Sequence, residues 1–296
     1  MSTSFRSGFV ALMGRPNTGK STLVNALVGS KVAITSKKAQ TTRTNIRGVL
    51  TTDDHQIVFV DTPGIHKPRT ALGERLNATA SRASTEVDLI VFVVDAQQPV
   101  GRGDQFVATQ VMAAGTRAIC VVNKIDAVGK GTVLEQLEAA SKLATFEEII
   151  PVSAREGLNV GKLHRLILER LEPGPAYFPE EMLSDQQLEV QITEIIREKA
   201  LWLLHEEVPH SVAVGLDEMT RREEDDVLEI HASIYVERDS QKGIVIGKGG
   251  SMLRDISTRA RKELERLLGE HCYLRCQVKV RKDWQQHPAE VERMGY

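Results

Sequence analysis

Short apolar runs without polar alternation recur through the first 172 residues. Phe9–Met13, Ile57–Val60, Asp88–Asp95, Ala118–Asn123 and Ile149–Val152 predict strands buried on both faces. Between them, Ser21–Leu27, Ala71–Ser84, Asp104–Ala114, Val133–Thr145 and Val160–Leu171 carry apolar residues at helical spacing. Strands alternating with helices imply an α/β domain whose mostly parallel sheet is covered on both faces. Arg43–Leu50 reads as one further strand, and Asp53-Asp54 before Gln56 predicts a hairpin turn into the next.

Pro173-Gly174-Pro175 and Pro179 then interrupt the pattern. Such residues punctuate domain boundaries, so the expected organisation is a first domain over 1–172, a linker over 173–184 and a second domain over 185–296 with a C-terminal tail. Its pattern differs. Leu188, Ile192, Ile195, Ile196, Leu203 and Leu204 mark a helix, Ser211–Leu216 a strand, and Leu228, Ile230, Ala232, Ile234 and Val236 a strand half-buried on one face. Ser240–Ile246 reads as a short helix with Ser240 as its cap. Leu253, Ile256, Ala260, Leu264 and Leu267 step along another helix, and Cys272–Val280 forms the last strand. The order α-β-β-α-α-β predicts a compact α+β domain.

Composition narrows the class. The 296 residues fit about two domains at roughly 150 residues each. A hydrophobic content of 41% with 26% charged residues excludes disorder over most of the chain. Three cysteines without a CxxC pair disfavour a disulfide scaffold or structural zinc and suit a reducing cytoplasm. Cys120, Cys272 and Cys276 read as core or strand-face residues. Met1–Ser7 lacks a secretory apolar stretch, and no run reaches the ~18 apolar residues of a membrane span.

Four short motifs carry the chemistry. Gly14-Arg-Pro-Asn-Thr-Gly19-Lys20-Ser21 fits GxxxxGK[ST] between a predicted strand and helix, the context the motif requires. Its glycines permit a turn whose N–H groups face phosphate oxygens, and the helix N-terminus adds a favourable field. Asn17, Thr18, Gly19, Lys20, Ser21 and Thr22 are the candidate phosphate-binding residues, Lys20 on the β- and γ-phosphates and the Ser21 hydroxyl on Mg²⁺. Asp61-Thr-Pro-Gly64 ends a strand: Asp61 is a candidate for holding Mg²⁺ and the Gly64 N–H for sensing the γ-phosphate. Asn123-Lys124-Ile125-Asp126 ends another. There Asp126 would accept the guanine N1–H and 2-amino donors, which adenine lacks, and the Lys124 stem would cover the base. Sites built on buried hydrogen bonds reject such mismatches by ~10⁴-fold or more. Ser153-Ala154 follows a fourth strand and would face guanine O6 through its backbone. NKID alone also suits a helix cap, but four motifs in order, each at a strand end, identify a guanine-nucleotide site with GTP or GDP and Mg²⁺.

The set resembles the translation-factor-like GTPases. In their pattern Ala39-Gln-Thr-Thr-Arg43 is the first switch, which implies that Thr42, with Thr41 as the competing register, reaches Mg²⁺ when GTP is bound. Lys20, Thr42 and Gly64 are then the candidates for a catalytic part. Ras-like members place a glutamine just after DxxG; here Ile65 stands there and no side chain can orient the water. A missing arginine finger leaves ~10³–10⁵-fold unrealised, about 4–7 kcal/mol of barrier, so slow intrinsic hydrolysis is expected. Asn17 resembles the asparagine that helps ligate K⁺ in some relatives, making K⁺ a further candidate.

Val245-Ile246-Gly247-Lys248-Gly249-Gly250 lies between the two predicted helices of the second domain and matches the GxxG loop of KH domains, where small residues let a single-stranded backbone approach. A helix–turn–helix connection also often contains glycine; the α-β-β-α-α-β order and the basic helix that follows favour KH. Ile246, Gly247, Lys248, Gly249, Gly250, Arg254 and Lys279 are the candidate RNA-binding residues. A GTPase domain followed by a type II KH domain resembles the Era family of bacterial GTPases, and GRPNTGKS, KAQTTR, DTPG, NKID, SAREG, EIIREK, VIGKGG and the final Gly295-Tyr296 agree with its pattern. The resemblance implies binding to the 3′ end of 16S ribosomal RNA, assistance to 30S subunit maturation, a monomer, and a cytoplasmic protein with peripheral association with the inner membrane. A metabolic P-loop kinase and a scaffold that binds nucleotide without turnover are the rivals; NKID with Ser153-Ala154 opposes the first, and detectable turnover would oppose the second.

The net charge of −2 argues against nucleic acid only as an average. Residues 180–241 carry 5 basic and 17 acidic side chains, whereas 242–282 carry 11 and 4. With a Debye length of ~8 Å at physiological salt, a polyanion responds to the basic block around the GxxG loop.

Overall fold

The computed structural model describes residues 5–38 and 40–296. Met1–Ser4 and Ala39, the first residue of the stretch read as a switch, lie outside the described residues. Two compact units divide between Asp185 and Gln186; the second also takes in Ser36–Thr41 and Thr70–Leu72.

The first unit is a six-stranded sheet of order β2-β3-β1-β4-β5-β6. Its strands are β1 (Arg6–Met13), β2 (Ile46–Thr51), β3 (His55–Asp61), β4 (Leu89–Asp95), β5 (Ala118–Asn123) and β6 (Glu148–Val152). All neighbours are parallel except the β2–β3 hairpin. The lack of polar alternation has a plain cause. Leu89, Val91 and Val93 of β4 pack beneath α1 (Lys20–Val28) and α5 (Val160–Leu168), while Ile90, Phe92 and Val94 pack on the opposite face. That face is covered by α2 (Ala71–Thr85), α3 (Arg102–Ala113) and α4 (Lys130–Ser141). Each such Val, Leu or Ile contributes about 1.5–3 kcal/mol by leaving water.

Helix ends depart from the sequence pattern in two places. The helix expected over Val133–Thr145 occupies Lys130–Ser141, because the chain leaves the helix to send Phe146 onto the sheet, where its ring stacks on Phe92 at 5.4 Å. The helix expected to reach Leu171 ends at Leu168; Leu171 stays buried in the same cluster, and the Arg6 guanidinium donates to its carbonyl at 2.7 Å. The proline-rich stretch is not a free spacer. Gln56 on β3 accepts from the Tyr177 and Phe178 amides at 2.7 and 3.0 Å and donates to the Phe178 carbonyl at 2.8 Å. Val49 N–H bonds the Leu183 carbonyl at 2.9 Å, and Arg47 pairs with Asp185 at 2.8 Å. The segment therefore satisfies the exposed edge at β2.

The second unit is a three-stranded sheet, β7 (Ala213–Arg221), β8 (Leu228–Val236) and β9 (Cys272–Val280), in that order. β7 and β8 are antiparallel, β8 and β9 parallel. α6 (Leu188–Leu203), the short α7 (Val208–Ser211), α8 (Asp239–Ile246) and α9 (Ser251–Leu268) complete it before the C-terminal α10 (Pro288–Arg293). Ile192, Ile196, Ile230, Ile234, Val245, Ile256 and Leu264 form its core. Ser240 does not cap α8: the helix begins at Asp239, and Gln241 Oε1 accepts the Arg238 and Glu237 amides at 3.1 and 2.9 Å, satisfying backbone donors at the helix entrance. No periodicity pointed to Trp284, yet it is fully buried, its indole N–H donating to the Ser211 carbonyl at 2.9 Å. Among the described residues no helix is long and apolar enough to cross a membrane.

Candidate functional site

Every predicted nucleotide motif sits at the C-terminal end of a sheet strand, where parallel α/β sheets open a crevice. β1 delivers Gly14–Gly19 to the start of α1. Gly19 has φ 94°, and a Cβ there would lie 2.4 Å from the Asn123 carboxamide, so only glycine lets the phosphate loop meet the strand that carries NKID. The Lys20 ammonium is buried and donates to the Gly14 and Arg15 carbonyls at 3.1 and 2.9 Å. Burial drives its pKa down to about 8 against the opposing charge of Asp61.

Asp61, at the end of β3, gathers the hydroxyls predicted from two other segments. Ser21 Oγ and Thr42 Oγ1 both donate to its Oδ2, at 2.6 and 3.0 Å, and lie 2.8 Å from each other. Thr42, not Thr41, takes this place: the Thr41 hydroxyl turns to the Lys38 carbonyl at 2.7 Å. Asp61 is fully buried, its Oδ1 has no hydrogen-bond partner among the described residues, and burial raises its pKa despite the bonds from Ser21 and Thr42. A hard-oxygen set of one carboxylate and two hydroxyls with an orphaned carboxylate oxygen fits Mg²⁺. Gly64 follows beside the phosphate loop, where a Cβ would reach 2.6 Å from Pro16 Cα, and the Ile65 amide donates to the Gly14 carbonyl at 3.1 Å. The Ile65 side chain is buried in the core, away from any water-orienting task.

The NKID loop is held as a unit. Asn123 Nδ2 donates to the Thr18 carbonyl at 2.9 Å, and its Oδ1 accepts the Ala154 amide at 3.1 Å, tying three of the loops together. Lys124 adopts a left-handed backbone, φ 66°, and its ammonium bridges the Asn17 carbonyl and Asp95 Oδ2, both at 2.6 Å. Asp126 Oδ1 accepts from the buried Ser153 hydroxyl at 2.6 Å, which orients the carboxylate. The Ala154 N–H, expected to face the base, is engaged by Asn123, so a base oxygen would have to share it. Asp95 was not legible as a site residue; its only signal was a carboxylate ending the apolar run Leu89–Val94. Thr22 lies on α1 one position beyond Ser21 and is half-buried.

In the second unit Gly247 leaves α8 with φ 72°, and a Cβ there would come within 2.7 Å of Met252 Cβ, so the turn into α9 admits no side chain. Gly249 and Gly250 also have positive φ, but open space surrounds them, leaving the loop accessible to another backbone. Lys248 and Arg254 are exposed beside this loop and Ile246 is half-buried. Lys279 stands apart from that description: it lies on β9 with its ammonium paired to Asp217 at 3.2 Å.

Comparison with known proteins agrees with this geometry. The family described as "50S ribosome-binding GTPase" matches residues 9–124, and the KH domain family matches 207–285. GTPase Era of Mycolicibacterium smegmatis is 50% identical over 99% of this chain and all of its own length. The chain belongs to the GTPase Era family. Era of Mycobacterium avium is 51% identical over the same shares. A crystal structure of Era in complex with MgGDPNP and nucleotides 1506–1542 of 16S ribosomal RNA superposes with a TM-score of 0.95 at 40% identity, covering 99% of both chains. An Aquifex aeolicus Era variant bound to GDP·AlF4⁻ gives 0.94 at 39%, with the same coverage. As an Era-family member this protein is a GTP hydrolase built from a P-loop GTPase domain and a C-terminal KH domain.

Proposed function

We propose that this protein is a slowly hydrolysing GTP switch that binds the 3′ end of 16S ribosomal RNA through its KH loop and assists maturation of the 30S subunit. The observation that carries the reading is the meeting of Ser21 and Thr42 on the orphaned, buried Asp61 beside Lys20. The bound metal would supply positive charge against the phosphates. Lys20, whose ammonium has a donor beyond the two that meet the Gly14 and Arg15 carbonyls, would hold the β- and γ-phosphates, and the loop amides would align them. Asp126, oriented by Ser153, would accept the two guanine donors, with the Lys124 stem against the base. Thr42 and the Gly64 amide would respond to the γ-phosphate, giving loops ordered in one nucleotide state and released in the other.

Buried Ile65 offers no group to orient water, which supports slow turnover without a partner. Asn17, in a left-handed conformation in the phosphate loop, is the residue we assign to a K⁺ dependence. The exposed glycine loop with Lys248 and Arg254 is assigned to the RNA backbone. Lys279 contributes only after exchanging Asp217 for a phosphate. A cytoplasmic location with peripheral inner-membrane association is the matching cellular placement.

Crosslinking to total RNA with a GTP analogue or GDP tests the reading. Enrichment of the 16S 3′ end that depends on the nucleotide is expected. No 16S enrichment would overturn the RNA assignment, and equal enrichment in both states would overturn the switch.

A further inference from the structure

We propose that Arg15 is a positioning residue for GTP hydrolysis, clamped by Asp104 so that the phosphate loop is held on the N-terminus of α3. The GxxxxGKS pattern leaves this position open, and α3 carries none of the nucleotide motifs. Arg15 Nη1 lies 3.0 Å from Asp104 Oδ2. The Asp104 side chain is only 4% exposed, and the same oxygen accepts the Gly101 amide at 3.0 Å, so the carboxylate is fixed on the helix that bears it. The guanidinium lies across Gly103, where a Cβ would come within 2.9 Å of Arg15 Nε.

The other end of the same residue touches the chemistry. The Arg15 carbonyl accepts the Lys20 ammonium at 2.9 Å and the Thr18 hydroxyl at 3.2 Å. Pro16 follows, and a residue before proline is confined to extended backbone. Side chain and carbonyl thus share one restricted peptide: fixing the guanidinium fixes the carbonyl, and with it the direction of Lys20. A surface ion pair is worth about 0–1 kcal/mol, but this one has a buried carboxylate, and removing Arg15 leaves that charge poorly satisfied. Arg15 acts through Lys20 and need not touch nucleotide.

The proposal rests on Lys20 being the phosphate ligand, so Lys20→Ala is included as a separate arm. The full-length protein is compared with Arg15→Ala, Arg15→Lys, Asp104→Asn and the Arg15→Ala/Asp104→Asn double variant. Single-turnover GTP hydrolysis, GDP affinity and thermal stability are measured for each. Arg15→Ala and Asp104→Asn are expected to slow hydrolysis about tenfold or more, with GDP affinity changed less than threefold. The double variant should be no slower than either single, because the two residues act as one unit, and Arg15→Lys should recover part of the rate. Hydrolysis within twofold of wild type in folded Arg15→Ala, or additive losses, would overturn the clamp. So would a lowered melting temperature with unchanged hydrolysis, which is the signature of a merely structural pair. If Lys20→Ala retains turnover, the assignment of Lys20 fails; if Lys20→Ala is inactive while Arg15→Ala is normal, the clamp alone fails.

Discussion

Ser21 Oγ donates to Asp61 Oδ2 at 2.6 Å, joining the residue after the P-loop lysine to the end of β3, the strand paired with β1. The second carboxylate oxygen is buried without a partner among the described residues. That asymmetry makes the cluster a place that favours a cation and dislikes being empty and charged.

Asp61→Asn is therefore expected to have opposite effects with and without ligand. Burial raises the Asp61 pKa, so its charge costs the nucleotide-free protein stability as pH rises through that value. The variant should melt higher than wild type when nucleotide-free at pH 7.5. With Mg²⁺ and GDP it should bind at least tenfold more weakly, about 1.4 kcal/mol less ligand stabilisation. Differential scanning calorimetry in both states checks this; a lower melting temperature in the nucleotide-free variant would contradict it.

Base selection should hinge on Asp126. Asp126→Asn replaces two lone pairs, held in place by Ser153, with an amide that presents a donor. GDP affinity is expected to fall 100-fold or more and xanthosine diphosphate affinity to rise, read by competition against a fluorescent nucleotide. An unchanged ratio of the two would remove Asp126 from the base site.

Acid should loosen the packing of α5 against the β2–β3 hairpin. His55 Nε2 and His164 Nε2 lie 2.9 Å apart, close enough to share one proton but not to hold two charges. Burial, then the His55 charge, lowers the His164 pKa, with Asp54 opposing. A base with a depressed folded pKa gives stability that is complete above its unfolded value of about 6.5 and is lost as pH falls through the folded one. The melting temperature should drop more steeply between pH 7.5 and 5.5 in wild type than in His164→Gln; parallel profiles would exclude the pair as the cause.

The KH loop should separate stability from binding. Gly247→Ala sets a Cβ against Met252 at positive φ and should destabilise by about 1–3 kcal/mol in urea melts. Lys248→Ala, on an exposed side chain, should leave the melt unchanged and weaken binding to a 16S 3′-end oligonucleotide, with a smaller salt dependence. Unaltered affinity and salt slope for Lys248→Ala would place the RNA elsewhere.

Periodicity and spacing were enough for the strand set of both domains, for every helix but the short α7 and α10 to within a few residues, and for the four nucleotide loops, because these signals are local: burial on two faces removes polar alternation, and phosphate binding needs glycines at set intervals. The choice of Thr42 over Thr41 was open in sequence, since adjacent hydroxyls differ only in which way the backbone turns them toward Asp61. Asp95 under Lys124, Asp104 under Arg15, Trp284 on Ser211 and the Gln56 hold on Tyr177 and Phe178 had no such signal. Each is a long-range contact, between residues 29 to 122 positions apart. One-dimensional pattern records what each residue's own neighbours demand; partners brought together by sheet order and helix packing exist only once the chain has folded, and there the structure alone decided.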